Sequence, residues 1–156
     1  ANNCQCGSKV VKKTCPEEKV GVLCLKGGRP HVVEYYELSS EMANEKIDGE
    51  LVYKYGVILN YLFNVNRLKE IASKNIPLHI VKKKVEYIDE NGEKVIPERE
   101  NAYKYETLIL DLVRLMGQCL PYEVEREKEF APVKNRTGVD SVDSARELLQ
   151  KNGFSI

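Results

Sequence analysis

The chain has 156 residues, with 24 Lys and Arg against 24 Asp and Glu, so its formal net charge is zero. That length fits one domain or a large piece of a bigger one, and the balanced charge excludes a generally basic nucleic-acid-binding face. Hydrophobic residues make up 42% and charged residues 31%, which excludes a disordered tail. No apolar run reaches the roughly 20 residues that cross a bilayer.

Five cysteines, an odd number, and no basic stretch leading into an apolar run point to reduced thiols in the cytoplasm rather than a disulfide frame. Zinc held by Cys4, Cys6, Cys15 and Cys24 is the competing use. The Cys4-x-Cys6 spacing is tighter than the usual zinc knuckle. Asn135-Arg136-Thr137 is a glycosylation sequon, idle in a cytoplasmic protein.

Val10-Val11 and residues 20–25 are β-favouring runs, and Pro16 separates them. Gly27-Gly28 predicts a tight hairpin turn into a strand over 32–36. Ser39 and Ser40 are good caps for a short helix over 41–46, acidic early and basic late. Asp48-Gly49 is a turn into a strand over 51–58. A helix follows, with Leu62, Phe63, Leu68 and Ile71 on its apolar side and Pro77 beyond its end.

The second half alternates again. Residues 80–88 predict a strand, and Glu90-Asn91-Gly92 turns it into Val95-Ile96. Residues 106–116 predict a helix, because Leu108, Leu112, Leu115 and Ile109, Val113, Met116 form adjacent rows. Gly117 ends it. A strand over 122–125 enters the charged run 126–129, then the loop Phe130-Ala131-Pro132-Val133-Lys134-Asn135. The last helix spans 144–151, capped by Asp143 and closed by Gly153. The expected fold class is α/β, a mixed sheet with flanking helices.

His31 and His79 lie far apart on strand-like stretches, and no nucleophile motif accompanies them, so both read as surface or edge histidines. No glycine-rich phosphate loop is present. Lys82-Lys83-Lys84 reads as a solvated face. Glu34 breaks an apolar strand end beside Tyr35. A carboxylate there suits paired sugar hydroxyls, and equally suits an exposed strand end. Lys134 sits on a proline-stiffened loop, where a point charge could meet a phosphate.

The segments Cys6-Gly7-Ser8-Lys9-Val10-Val11, Val20-Gly21-Val22, Val32-Val33-Glu34-Tyr35, Asp48-Gly49 and Phe130-Ala131-Pro132-Val133-Lys134-Asn135, in that order, resemble the eukaryotic UDP-N-acetylglucosamine pyrophosphorylases. The resemblance runs over essentially the whole chain, and Val-Val-Glu-Tyr and Pro-Val-Lys-Asn are its most specific parts. It implies that residues 1–156 are the sugar-binding half of a Rossmann-like nucleotidyltransferase catalytic domain. Such an enzyme joins UTP to N-acetylglucosamine 1-phosphate with Mg²⁺.

Residue by residue, the resemblance makes Gly21 a glycine whose backbone approaches the sugar. It makes Glu34 and Tyr35 the pair that binds the hexose, and Lys134 the lysine that contacts the phosphates. Val57 stands where the family has a sugar-binding asparagine. Leu108 and Leu110 stand where it has aromatics around the N-acetyl pocket. The family's glycine-rich UTP loop and metal-binding aspartate lie upstream of the matched region. The Mg²⁺ ligands are therefore expected outside these residues, none within them, and the partner is the remainder of the enzyme polypeptide. The chain alone is expected to be inactive. Neither nucleic acid nor membrane is an expected partner. Val57, Leu108 and Leu110 keep open a pyrophosphorylase of different sugar specificity. A non-catalytic carbohydrate-binding module is the alternative from another class.

Overall fold

The structure is a computed structural model that describes residues 4–155. Its chain order is β1 (Cys6–Lys12), β2 (Val22–Lys26), β3 (Arg29–Val33), α1 (Ser40–Asn44), β4 (Lys46–Ile47), β5 (Glu50–Leu51), β6 (Tyr55–Phe63) and α2 (Val65–Ile71). Then come β7 (His79–Lys83), β8 (Tyr87–Ile88), β9 (Lys94–Val95), β10 (Ala102–Glu106), α3 (Asp111–Leu115), β11 (Cys119–Glu123), α4 (Arg126–Glu129) and α5 (Val142–Lys151). One sheet dominates, five-stranded in the order β11-β1-β6-β2-β3. Its β1–β11 pair is parallel and its other pairs are antiparallel. The expected α/β class with a mixed sheet and flanking helices is therefore borne out.

Residues far apart in sequence build the core. Val10, Leu23, Val32 and Val57 come from four strands of the sheet, and Ile71, Val113 and Met116 come from the helices that cover it. The β2–β3 hairpin turns through Gly27 and Gly28 at φ 59° and 74°. Positive φ at both loop residues is what a two-residue hairpin of matching twist requires. Two smaller ribbons, β4–β5 and β8–β9, close on Asp48-Gly49 and on the Asp89 to Gly92 turn. In the second, Asp89 Oδ1 accepts from the Asn91 and Glu93 amides at 2.9 Å each.

Several sequence expectations change. Leu62 and Phe63 end β6 instead of opening a helix, because β1 offers them partners at Gly7 and Cys6. The helix begins only after Asn64, whose side chain accepts from the Asn66 and Arg67 amides. The long helix over 106–116 shrinks to α3. Residues 102–106 alternate like a strand and pair with β7, Glu106 opposite His79. The apolar rows still pack: Val113 and Met116 are fully buried and Leu110 nearly so, while Ile109 is exposed. The strand over 32–36 stops at Val33, where Glu34 and Glu37 form a turn. Finally, Ser141, not Asp143, caps α5, in a reciprocal box with Ser144.

No helix among the described residues is long and apolar enough to cross a membrane. All five cysteines are free thiols. Among the described residues no three His, Cys, Asp or Glu side chains converge on a metal-sized site.

Candidate active site

A cleft of about 490 Å³ opens where the sheet meets the loop that follows α4. One wall is sheet-borne and carries Gly21, Glu34, Tyr35, Val57, Ile58 and Leu59. The opposite wall is the segment Phe130, Ala131, Pro132 and Lys134, with Lys19 and Val20 between the two. Five sequence-derived candidates, Gly21, Glu34, Tyr35, Val57 and Lys134, thus meet in one cavity although 113 positions separate the first from the last. Leu108 and Leu110 are not among its lining residues. Leu110 belongs to the hydrophobic core and Leu108 packs against it.

Glycine at position 21 has a steric reason. A Cβ there would lie 3.2 Å from Val32 Cγ1, 3.3 Å from Glu34 Oε1 and 3.4 Å from Val57 Cγ2. The Gly21 carbonyl accepts from the Val57 amide at 2.8 Å, which holds this edge of the cleft to β6. The absence of a side chain lets the Glu34 carboxylate lie close against backbone.

Glu34 is fixed by its turn. Its amide donates to Glu37 Oε2 at 2.9 Å, and its carbonyl accepts from the Glu37 amide at 2.8 Å. Burial, and then the nearby Glu37 carboxylate, push the Glu34 carboxyl above the usual carboxylate range. Glu106 pushes the same way, while His79 and Lys134 oppose it. The site therefore holds a partly desolvated carboxylate whose charge is offset from two sides. Such a group binds hydroxyl donors more strongly than a fully hydrated one does. Tyr35 beside it is 44% exposed and packs edge-on against Tyr36, ring centroids 5.3 Å apart.

β6 reaches the cleft through an irregularity that the sequence does not announce. Ser8 pairs with Tyr61 and Val10 with Val57, so residues 58–60 face the single residue Lys9. A bulge of this kind bends a strand and re-aims its side chains. Leu59 at its centre has φ 57° and is 67% exposed. Leucine in this left-handed region costs roughly 1–2 kcal/mol. Ile58 and Leu59 are cleft residues that the sequence reading missed. The missing signal is the β1 register, a long-range pairing with no local signature.

The other wall is tied down by charge. Arg126, at the start of α4, donates to Glu18 Oε1 at 2.5 Å and to the Lys12 carbonyl at 3.1 Å. Glu18 also accepts from the Thr14 amide at 2.8 Å. Burial raises the Glu18 carboxyl, but the Thr14 amide and the Arg126 guanidinium outweigh it, leaving the group below the usual range. Lys9 adds an ion pair to Glu129 at 2.6 Å. These contacts hold α4, and the loop after it, against the segment that delivers Lys19 and Gly21. Lys134 Nζ donates to the Lys19 carbonyl at 3.0 Å. The loop then closes on itself, with the Lys134 and Asn135 amides donating to the Asp140 carbonyl at 2.7 and 2.9 Å.

His79 lies on an edge strand, β7, with its side chain only 18% exposed and Nε2 2.9 Å from Asp111 Oδ2. The β7–β10 pairing and the first turn of α3 bring the two together, and only tertiary structure does so. His31 sits on β3, an edge of the sheet, as expected. Lys82, Lys83 and Lys84 are exposed, with Lys82 over the Tyr103 ring.

Comparison with known proteins gives the family. The family described as UTP–glucose-1-phosphate uridylyltransferase matches residues 1–154. The chain belongs to that family. Among its relatives is the human protein named UDP-N-acetylhexosamine pyrophosphorylase-like protein 1, 43% identical over 149 residues, covering 93% of this chain and 29% of that protein. The Saccharomyces cerevisiae UDP-N-acetylglucosamine pyrophosphorylase is 36% identical over 159 residues, covering 95% of this chain and 33% of that one. The crystal structure of the Trypanosoma brucei uridine diphosphate N-acetylglucosamine pyrophosphorylase, in complex with an inhibitor, superposes with a TM-score of 0.75 at 27% identity. It covers 95% of this chain and 30% of that one. The resemblance carried by the Val-Val-Glu-Tyr and Pro-Val-Lys-Asn segments is therefore borne out at the level of the family. The chain spans about a third or less of the length of these relatives.

Proposed function

We propose that this chain is the sugar- and phosphate-contacting part of a uridylyltransferase that makes UDP-N-acetylglucosamine and pyrophosphate from UTP and N-acetylglucosamine 1-phosphate. The observation that carries the reading is the convergence of Gly21, Glu34, Tyr35 and Lys134 on one cleft. The relatives named for this activity supply the substrate class.

In this reading the hexose lies along the sheet-borne wall. The Glu34 carboxylate accepts from its hydroxyls, Tyr35 packs on the ring, and Gly21 leaves room for the sugar against its backbone. The phosphate faces the loop. Lys134 gives up its contact with the Lys19 carbonyl, a neutral acceptor, for the phosphate oxygens, which are charged and bind an ammonium more strongly. The sugar phosphate oxygen attacks the α-phosphorus of UTP in line, and pyrophosphate leaves. Negative charge builds on the oxygens at phosphorus, where Lys134 stabilises it more than it stabilises the ground state.

Among the described residues no three His, Cys, Asp or Glu side chains converge on one point. We assign Mg²⁺ binding and the UTP base to the rest of the polypeptide, and no step here runs through the metal. Val57 offers the sugar only an apolar surface and a backbone amide already bonded to Gly21. This observation favours, as a second reading, a pyrophosphorylase with relaxed preference at the position that the family's asparagine reads. We place the enzyme in the cytoplasm.

The test is a coupled pyrophosphate-release assay on a polypeptide that contains this chain with its nucleotide-binding part, using N-acetylglucosamine, N-acetylgalactosamine and glucose 1-phosphates. Turnover with the N-acetylglucosamine compound supports the main reading. Equal turnover with all three supports relaxed specificity. No turnover with any sugar phosphate contradicts both.

A further inference from the structure

Cys6 and Cys119 are 113 positions apart in sequence and direct neighbours in space. They are register partners across the parallel β1–β11 pair. Register partners on parallel strands project to the same face, and neighbouring strands run roughly 4.8 Å apart. That spacing lies inside the window of about 4.4–6.8 Å between Cα atoms that a disulfide needs. Both side chains join the same apolar cluster on the helix-covered face of the sheet.

The two thiols differ in access. Cys6 is 4% exposed. Cys119 lines a second cleft, of about 450 Å³, with Leu23, Cys24, Leu25, Tyr55 and Pro121. They also differ in acidity. The Cys6 thiol donates to the Gln118 carbonyl at 3.5 Å, with Cys119 as its partner across the strand pair. Donation from Cys6 lowers the Cys119 thiol below its ordinary value, against the opposing effect of burial. Cys6 is raised, by that same hydrogen bond first, then by burial and by the charge on Cys119. The less buried member of the pair is therefore the better thiolate.

We propose that Cys119 is a thiol–disulfide exchange site that takes a small-molecule disulfide from the second cleft, with Cys6 as the resolving thiol. The inference goes beyond the pyrophosphorylase reading and does not depend on it. In the first step the Cys119 thiolate attacks one sulfur of the small disulfide. A Cys119 mixed disulfide forms, the small S–S bond breaks, and one small thiolate leaves. This step removes the thiolate charge beside Cys6, so Cys6 ionises more readily than before. The Cys6 thiolate then attacks the Cys119 sulfur, the mixed disulfide breaks, and a second small thiolate leaves. Overall, two protein thiols are oxidised to a Cys6–Cys119 bond, the small disulfide is reduced to two thiols, and the two protein protons end on those thiols. The product bond would tie the edge strand β11 to its neighbour β1.

Exposed Cys15 and the cleft thiol Cys24 serve as internal controls. The chain is incubated with oxidised glutathione, quenched with acid, alkylated and mapped by mass spectrometry of its peptides. The expected result is a transient glutathione adduct on Cys119, followed by a peptide joining Cys6 to Cys119. Cys6→Ser should leave the adduct on Cys119 without resolution. Cys119→Ser should abolish the joined peptide and leave Cys6 reduced, with a thermal melt confirming that the variant folds. The wild-type map is decisive even if a variant fails to fold. Cys119 staying reduced while Cys15 is fully modified would overturn the proposal. A link from Cys119 to Cys4 or Cys24 in place of Cys6 would overturn it too.

Discussion

The two walls of the cleft are held by different physics. The sheet-borne wall is set by packing: a Cβ at Gly21 would crowd Val32 and Glu34, Val57 is buried, and Glu34 is clamped by its own turn. The loop-borne wall has little apolar support, since Val133 is exposed, and it is positioned by the Arg126–Glu18 and Lys9–Glu129 ion pairs. A packed wall suits recognition of a rigid ring, because close-packed interiors resist small displacements. A charge-tethered wall suits a lysine that, in the proposed reaction, trades one acceptor for another. The comparison predicts that changes to the loop wall fall on rate and changes to the sheet wall fall on sugar affinity.

The largest effect expected is on the loop side. In a polypeptide with its nucleotide-binding part, Lys134→Ala should lower kcat by far more than it raises the KM for either substrate. Loss of charge stabilisation that acts mainly in the transition state costs about 3 kcal/mol. Steady-state kinetics reads the split, and an unchanged kcat removes Lys134 from the mechanism. On the sheet side, Glu34→Ala should weaken the sugar phosphate by about 1.5–3 kcal/mol, the range for losing a charged hydrogen-bond acceptor. UTP affinity should stay nearly intact. Calorimetric titration of each substrate checks this, and impairment for UTP alone would place Glu34 on the wrong half of the site.

Arg126→Met cuts the tether at a residue that does not itself line the cleft. It leaves the Glu18 carboxylate, 14% exposed, without its cation. The expected loss is about 1–2 kcal/mol of folding stability, moderated because the guanidinium keeps part of its surface in water. The pH dependence follows from the sign of the shift. The Glu18 carboxyl is held below its ordinary 4.5, so its stabilising contribution is present above pH 4.5 and lost as pH falls through the lowered folded value. Wild type and variant should therefore differ most in denaturant melts at neutral pH and converge in acid. A gap that persists at low pH would mean that Arg126 acts through packing on Phe130, whose ring centroid lies 5.1 Å away.

These particulars also show what the sequence could reveal. Turns written in Gly27-Gly28, Asp48-Gly49 and Asn91-Gly92 were legible because their chemistry is local, and so was the apolar face of α3. The length of α3 was not legible. Residues 102–106 have no strand identity until β7 lies beside them, and Leu62 and Phe63 extend β6 only because β1 pairs with them. In the candidate site, motif order pointed to Gly21, Glu34, Tyr35 and Lys134, which line one cleft. The tether Glu18–Arg126, the pair His79–Asp111 and the bulge at Leu59 each depend on contacts between distant segments, and no spacing rule reports them.

The bulge offers the smallest expected effect. Leu59→Gly removes a left-handed leucine that is mostly solvent-exposed. Relief of roughly 1 kcal/mol of strain is partly offset by the freedom that glycine adds to the unfolded chain. A change in stability within about 1 kcal/mol is expected. A larger loss in a denaturant melt would show that the Leu59 side chain supports the sheet wall through contacts that strain relief does not replace.

The central claim is that one wall reads the sugar and the other meets the phosphate. NMR titration of the isotope-labelled chain with N-acetylglucosamine 1-phosphate, and separately with N-acetylglucosamine, tests it most directly. The phosphorylated sugar should shift the amides of Gly21, Glu34, Tyr35, Val57 and Lys134 together. The free sugar should shift the sheet-wall amides and leave that of Lys134 in place. Shifts at Lys134 from the free sugar, or shifts clustered away from these residues, would contradict the account.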